Sequence, residues 1–286
     1  MWQTIEEAIS EATRTDFHIS EKSEVTGGDI NLAYRISNGQ RDYFVKLNDR
    51  TAYGSMEQEA YSLSQIKNLA PISCPSPITT GVTLDKSFLV IEHLNLSDKG
   101  DWFELGSHLA KMHKQCTHGE YGWQHDNFIG RNLQPNKWQK NWSMFFSEQR
   151  IGWQLQLLHE KSITFGDIDH ICQYVHEQLV SHHPRPSLLH GDLWLGNVAF
   201  SDQHGVIYDP ACYYGDRECD IAMTELFGQF PSAFYRGYKE VFPLQKGYET
   251  RKHIYNFYHI LNHANLFAGV YIDQARASLQ RLFSLH

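Results

Sequence analysis

The 286-residue sequence lacks long apolar segments and clusters of basic residues. Its longest strongly apolar run, residues 88–91, is far shorter than the roughly 20 residues that cross a bilayer as a helix. Residues 1–7 contain neither the basic nor the apolar region of a secretion signal. The formal net charge of −8 argues against a nucleic-acid partner, which would favour a positive surface. We therefore expect a soluble, cytoplasmic protein with no membrane or nucleic-acid partner.

Cysteine is also sparse, with five scattered residues and no C-x-x-C pair. An odd, scattered set argues against a disulfide framework and against a cysteine-based zinc site. Histidine is abundant, with 17 residues, and His259 and His263 have the four-residue spacing of a helical metal pair. No third ligand of matching context accompanies them. We interpret this pair as packing, solvent or substrate contact.

Three polar residues carry the main chemical signal. Asp192, in the run His-Gly-Asp, is followed five residues later by Asn197 and twelve residues after that by Asp209. This set is typical of protein-kinase-like phosphotransferases, where the first Asp orients a hydroxyl and accepts its proton. The Asn and the second Asp can hold Mg²⁺, which prefers hard oxygen ligands. Each residue alone is an ordinary turn residue, so the prediction depends on the spacing of all three.

Lys46 is the second candidate for contact with a nucleotide. It lies in the predicted strand 43–47, where alternation places it on the same face as Phe44. A lysine there can contact the α and β phosphates and pair with a glutamate of the next helix, best Glu59. An exposed strand lysine is the alternative. The order of glycine turn, strand lysine and helix glutamate favours the nucleotide role.

The predicted nucleotide site has two further parts. Gly27 and Gly28 form a candidate turn over the phosphates, although two glycines in a hairpin are a weak signal and no P-loop motif is present. Glu92, His93 and Leu94 follow a predicted strand, where the hinge between lobes would meet adenine. Backbone groups usually serve at such a hinge, so the identities of these side chains carry little information.

The predicted elements indicate two lobes. Six segments have helix or strand patterns in the order helix, two strands, helix, two strands: residues 2–15, 30–36, 43–47, 55–69, 79–84 and 87–93. Helical patterns dominate after the polar connector 95–100. We predict an α+β, protein-kinase-like two-lobed fold. Residues 1–94 would be a nucleotide-binding N-lobe, with a small antiparallel sheet and one main helix. Residues 95–286 would be a larger, mostly helical C-lobe for catalysis and substrate binding.

Three stretches, residues 188–197, 207–211 and 213–218, resemble the fructosamine/ketosamine-3-kinase family, and the resemblance extends over nearly the whole chain. It is closest to the bacterial branch. The resemblance implies an aminoglycoside-phosphotransferase-like fold and transfer of the ATP γ-phosphate to the 3-hydroxyl of a ketosamine, a sugar adduct on an amine. The phosphorylated adduct is unstable, so the reaction would remove glycation. Asp29 in the glycine turn departs from the expected small residue.

The resemblance also implies roles for individual residues. Asp192 would be the catalytic base, Asn197 and Asp209 would hold Mg²⁺, and Lys46 with Glu59 would position ATP. These are the roles that the residue pattern itself suggests.

Five residues are assigned to the substrate side from their positions in the family pattern: Trp194, Asp216, Arg217, Glu218 and His263. Trp194, within the catalytic loop, is typical of this family. The acidic pair would suit a substrate with a protonated amine. Capping of the following helix is an equally good role for Asp216.

Two other functions stay open. A kinase of the same fold could act on an aminoglycoside, choline or a sugar, although Trp194 and residues 213–218 favour a ketosamine. A pseudokinase would bind nucleotide without turnover, but a binding module needs no catalytic base. The substrate could be free or protein-bound. We expect a monomer.

Overall fold

The structure is a computed structural model that describes residues 1–25 and 31–284. Its first elements are α1 (Trp2–Thr13), β1 (Glu21–Val25), β2 (Leu32–Ser37), β3 (Asp42–Asp49), α2 (Tyr53–Leu69), β4 (Pro77–Val82) and β5 (Lys86–Glu92). They are followed by α3 (Trp102–Gln115), β6 (Asn127–Ile129), β7 (Asn132–Gln134), α4 (Trp142–Phe146), α5 (Trp153–Glu160), α6 (Ile168–Leu179), β8 (Ser187–Leu189), β9 (Val198–Ser201), β10 (His204–Ile207), β11 (Tyr213–Gly215), α7 (Glu218–Thr224), α8 (Ser232–Val241), α9 (Tyr248–Phe267) and α10 (Val270–Phe283).

The first of two compact units comprises Met1–Asp101 and Ala199–Asp209. It contains a five-stranded antiparallel sheet in the order β1-β2-β3-β5-β4. The segment Ala199–Asp209 carries most of the β9–β10 hairpin and joins this unit through a backbone bridge between Val206 and Ser73. The chain therefore returns to the first unit at Ala199 and leaves it after Asp209.

Alternation along β3 separates its side chains onto two faces. Val45 and Leu47 are buried on one face together with Ile5 and Ile9 of α1. These two isoleucines are four residues apart, so they share one side of the helix and hold it against the sheet. Lys46 belongs to the other face, where it reaches α2. The sheet thus presents the buried Lys46 ammonium to the main helix of this unit.

Within the five-stranded sheet, strand β1 was not predicted from the sequence pattern. All five of its residues, Glu21–Val25, are exposed, and it pairs with β2 at one edge of the sheet. Because no residue of β1 is buried, no apolar alternation marks it. Its charged side chains suit an exposed edge, where they oppose pairing with another chain.

The second compact unit, Trp102–Val198 with Pro210–His286, is mostly helical. Helix α4 begins at Trp142, because the side chain of Asn141 accepts a hydrogen bond from the backbone of Met144 and caps the helix there. A π-helical turn, Ser147–Gly152, then interrupts it before α5. Among the described residues, no helix is both long and apolar enough to span a membrane.

The α+β class is confirmed, with the sheet in one unit and most helices in the other. The two units are defined by packing within each of them. Nucleotide binding by residues 1–94 and catalysis by residues 95–286 stay predictions.

Candidate active site

Three charged side chains meet in the first unit. The Lys46 ammonium lies 2.6 Å from Glu59 Oε1 and also contacts Asp209 Oδ1. Lys46 is 6 % exposed, whereas the Asp209 side chain is 47 % exposed. The structure thus forms the expected Lys46–Glu59 pair and adds Asp209, 163 residues away in the chain, as a second partner.

The electrostatics of this cluster keep the lysine charged. Burial alone would lower the pKa of Lys46, because it removes the ammonium from water. The carboxylates of Asp209 and Glu59 outweigh that effect and hold the pKa above its ordinary value. The Lys46 ammonium therefore stays positively charged between the Glu59 carboxylate of α2 and the half-exposed carboxylate of Asp209.

The turn that presents Asp192 requires glycine at position 191. Gly191 has φ +84°, and a Cβ there would lie 2.1 Å from the carbonyl oxygen of Ala211. The Ala211 N–H donates to the carbonyl oxygen of His190 at 2.8 Å, so the two chain segments are in direct contact. Any larger residue at 191 would push them apart.

Asn197 closes the loop that follows. Its Nδ2 donates to the Asp192 carbonyl oxygen at 2.8 Å and lies 3.3 Å from Asp192 Oδ2. Asn197 is buried, and it ends a short 3₁₀ turn, Leu195–Asn197. Because the amide nitrogen faces Asp192, the amide oxygen points away from it. The five-residue spacing therefore orients both the candidate base and a candidate metal ligand.

Asp220 holds this loop from α7. Its carboxylate accepts from the backbone N–H groups of His190 at 2.8 Å and Gly191 at 2.9 Å. Burial would raise the pKa of Asp220, but the hydrogen bond from His113 and the charges of His113 and His190 outweigh burial and lower it. The ionised carboxylate thus stabilises the catalytic turn.

A buried chain of hydrogen bonds extends this brace, and the sequence did not reveal it. His113 Nε2 lies 3.0 Å from Asp220 Oδ2, and His113 Nδ1 lies 2.8 Å from the Tyr238 hydroxyl. Arg217 Nη1 donates to the same hydroxyl at 3.2 Å. Because an ionised carboxylate can only accept, His113 Nε2 donates to Asp220. These hydrogen bonds connect Arg217 through Tyr238 and His113 to Asp220. Asp220 in turn binds the backbone of the candidate catalytic loop.

Asp216 and Glu218 are buried and engaged inside the second unit. Asp216 Oδ2 accepts from His182 at 2.7 Å and from the Tyr255 hydroxyl at 2.6 Å, while its Oδ1 accepts from the Glu218 backbone N–H. That last bond gives the backbone N–H of Glu218, the first residue of α7, an acceptor. Glu218 receives two hydrogen bonds, of 2.8 and 2.9 Å, from Arg251. Arg217 is also buried and bonded internally. Because the side chains of Asp216, Arg217 and Glu218 already have internal partners, the proposed substrate site does not include them.

Trp194 and His263 remain partly exposed. A Cβ on Gly196 would lie 2.4 Å from the Trp194 ring, so the indole rests directly on the loop backbone. His263 Nδ1 lies 2.9 Å from the His259 carbonyl oxygen, and its ring centroid is 4.3 Å from that of Phe227. Both side chains therefore keep part of their surface open to solvent, and their contact with a substrate stays a prediction.

The remaining predicted nucleotide contacts lie at the end of β5 and in the glycine turn. The Glu92 carboxylate accepts from the Ser76 hydroxyl at 2.8 Å, and the Glu92 N–H donates to the Ser76 carbonyl oxygen at 2.8 Å, so both groups are engaged within the first unit. Gly27 and Gly28 lie outside the described residues.

His259 is buried in α9 and gives the protein a specific sensitivity to acid. Among the described residues, its Nδ1 has no hydrogen-bond partner. Burial, with a smaller contribution from the neighbouring His263, lowers the pKa of His259 to about 3. The unfolded chain therefore binds this proton near pH 6.5 and the folded chain only near pH 3, so stability falls as the pH falls between those values.

Replacing this histidine should remove that sensitivity. Between pH 7 and pH 5, wild type should lose about 2 kcal/mol of unfolding free energy that His259→Leu retains. Urea unfolding at the two pH values measures the difference. The exposed His18, changed to Leu, is the matched control and should follow wild type. Equal losses in wild type and His259→Leu would contradict the expectation.

The comparisons with known proteins decide the family. A model of the fructosamine kinase family matches residues 1–285. The chain belongs to this family. A probable ketoamine kinase of Vibrio vulnificus is 49 % identical over 287 aligned residues, which cover 99 % of this chain and 100 % of that protein. Membership makes the chain a phosphotransferase with a hydroxyl group as acceptor and a ketosamine as the class of substrate.

Solved structures agree with the fold. A proposed fructosamine-3-kinase from Haemophilus somnus has 36 % identity and a TM-score of 0.93, covering 100 % of this chain and 98 % of the other. An aminoglycoside phosphotransferase in a ternary complex with ADP and hygromycin B has 12 % identity and a TM-score of 0.63, covering 98 % and 97 %. The second likeness concerns the fold alone. The predicted kinase-like fold is confirmed.

Proposed function

We propose that this protein uses ATP and Mg²⁺ to phosphorylate a sugar hydroxyl of ketosamines, and so serves in the repair of glycation. The observation that carries the proposal is the catalytic loop, in which Asn197 binds Asp192 and Asp220 anchors the preceding turn. A binding module would not need a carboxylate held in this way. Free and protein-bound ketosamines both fall within the proposal. The monomeric state and the cytoplasmic location stay predictions from the sequence.

The proposed chemistry assigns the base to Asp192. Its carboxylate would take the proton from the attacking sugar hydroxyl, while the Asn197 amide keeps the carboxylate oriented. Lys46, charged and held by Glu59, would neutralise negative charge on the phosphates. When bound, ATP supplies the phosphoryl group and Mg²⁺ neutralises charge on it. The enzyme's own contribution is therefore orientation, proton acceptance and charge.

The donor set fits a magnesium ion. Asn197 offers an amide oxygen and Asp209 a carboxylate, which are hard ligands of the kind Mg²⁺ accepts. The Asp209 side chain is 47 % exposed, which suits an ion that keeps several waters. One carboxylate oxygen of Asp209 contacts Lys46, and the second is the proposed ligand atom. The aminoglycoside phosphotransferase crystallised with ADP supports a nucleotide on this fold.

Phosphorylation of a small substrate panel tests the proposal. The panel contains lysine adducts of ribulose, erythrulose and fructose, with choline and an aminoglycoside as decoys, each with and without ATP and Mg²⁺. Turnover on a ketosamine, lost in Asp192→Asn, is the expected result and would rank the sugars. Turnover on a decoy alone would overturn the substrate class. Nucleotide binding with no turnover on any compound would point to a pseudokinase.

Removing the buried lysine should weaken the use of ATP. In Lys46→Met, we expect kcat/KM for ATP to fall on the order of 100-fold, because a preorganised positive charge is lost. Glu59 would then take up a proton, since burial raises its pKa, and this limits the loss of stability. Steady-state kinetics with ATP varied and a thermal melt separate the two effects.

Lys86 provides the matched control. It is also a strand lysine paired with an aspartate, 2.8 Å from Asp49, but its partner is 76 % exposed. Lys86→Met should leave the ATP constants unchanged. Unchanged ATP constants in Lys46→Met would remove Lys46 from the proposed nucleotide site.

A further inference from the structure

Four aromatic rings cluster where α9 and α10 meet. We call Phe227, His263, Phe267 and Tyr271 the aromatic face. The His263 centroid lies 4.3 Å from Phe227, 5.6 Å from Phe267 and 5.2 Å from Tyr271. Phe267 is 48 % exposed, and the other three rings are partly exposed. Rings that served only the core would be buried, so this cluster presents aromatic surface to solvent.

The aromatic face is continuous with the catalytic loop. Gly228 follows Phe227, and a Cβ at Gly228 would lie 3.0 Å from a Leu195 methyl group. Leu195 is 40 % exposed and stands between Trp194 and Asn197 in the loop that presents the candidate base. Leu195 thus joins the loop that presents Asp192 to the turn that carries Phe227, within the same unit.

The aromatic face is suited to a positive group. Aromatic rings attract cations through the negative potential of their faces. Burial lowers the pKa of His263, so at neutral pH its ring is uncharged and does not repel a cation. Its Nδ1 is also turned toward the His259 carbonyl oxygen. The formal net charge of the protein, −8, further favours the approach of a cation.

We propose that the aromatic face binds the protonated secondary amine, and the first methylene groups of the alkyl carrier, of a ketosamine. The inference rests on the proposed function and adds a subsite to it. A ketosamine differs from a free ketose in having this amine, which is a cation in its protonated form. Cation–π contact would therefore distinguish glycation adducts from ordinary sugars. A lysine-type carrier fits this chemistry, because its chain beyond the amine is apolar.

The test compares an amine with its neutral counterpart. The substrates are a fructose-derived alkylamine ketosamine and the same molecule with an ether oxygen in place of the N–H group. We expect Phe267→Leu and Tyr271→Leu each to raise KM for the ketosamine about tenfold, the effect of losing a partly desolvated cation–π contact. KM for the ether, KM for ATP and kcat should stay within about twofold of wild type, since the loop and the base are untouched.

Phe283 supplies the matched control. It lies at the far end of α10, is 38 % exposed, and packs on the Tyr174 ring at 4.8 Å. Phe283→Leu should leave both KM values unchanged. An equal rise of KM for ketosamine and ether in Phe267→Leu would overturn the inference, because it would show an apolar contact only. An unchanged KM for the ketosamine would also overturn it.

Direct binding separates this inference from the proposed function. Calorimetry with Asp192→Asn measures the affinity of the same two compounds without turnover. Tighter binding of the amine than of the ether, lost when Phe267→Leu is added, supports the subsite even if wild type phosphorylates neither compound. Equal affinity for the amine and the ether would contradict the proposed amine subsite, even if wild type phosphorylates the ketosamine.

Discussion

Asp192→Asn should reduce kcat by about 10²- to 10⁴-fold, the usual contribution of a general base. The amide has the shape of the carboxylate but cannot accept the hydroxyl proton at neutral pH. Its oxygen can still accept from the Asn197 amide, which lies 3.3 Å from Asp192 Oδ2 in the native protein. Folding and nucleotide binding should therefore persist. Steady-state kinetics, circular dichroism and a nucleotide titration measure the three properties.

Asp202 is the control for that substitution. It is exposed in the β9–β10 turn, with φ 50°, a conformation that asparagine tolerates well. Asp202→Asn should match wild type in all three measurements. A near-normal kcat in Asp192→Asn would remove Asp192 from the role of base.

Asp220→Ala should have the largest effect on stability. The carboxylate is 1 % exposed and binds N–H groups of His190, Gly191 and His113. Alanine leaves these buried donors without an acceptor, and breaking a buried charged contact costs about 3–5 kcal/mol. That loss is a large part of the stability of a typical domain. Urea unfolding measures it, and the catalytic turn should lose its shape, so kcat should fall in the folded fraction as well.

The contribution of Asp220 to the unfolding free energy depends on pH. The pKa of Asp220 is lower in the folded protein than in the unfolded chain. Its stabilisation is therefore complete above the unfolded pKa, about 3.9, and is lost as the pH falls through the folded pKa. The difference in unfolding free energy between wild type and Asp220→Ala should therefore shrink below pH 4.

Asp273→Ala is the control for this substitution. It removes an 80 % exposed side chain from α10 and should lower the unfolding free energy by less than about 0.5 kcal/mol. A similarly small loss in Asp220→Ala would contradict the assigned brace.

Regular, half-buried elements were predictable from the sequence. The pattern placed β3 and α2 because each has one buried side, with Val45 and Leu47 in the strand and Met56 and Leu63 in the helix. Strand β1 was not predicted, since none of its residues is buried.

Remote partners engage three of the candidate substrate residues. The sequence alone suggests that Glu218 lies at the surface, because charged side chains are seldom fully buried. Its partner Arg251 lies 33 residues further along the chain, and the two bonds between them are what permit its burial. Local sequence cannot distinguish an acidic residue that awaits a substrate from one that already has an internal cation.

The sequence by itself determined the reaction class and the catalytic loop. Asp192 and Asn197 are five residues apart, so one short turn brings them together. Tertiary structure alone decided which groups support that loop and what lies beside it. His113 and Asp220 are 107 residues apart, and the aromatic face combines residues of a turn and two helices. Contacts over such separations form only when whole elements pack, and no local pattern encodes them.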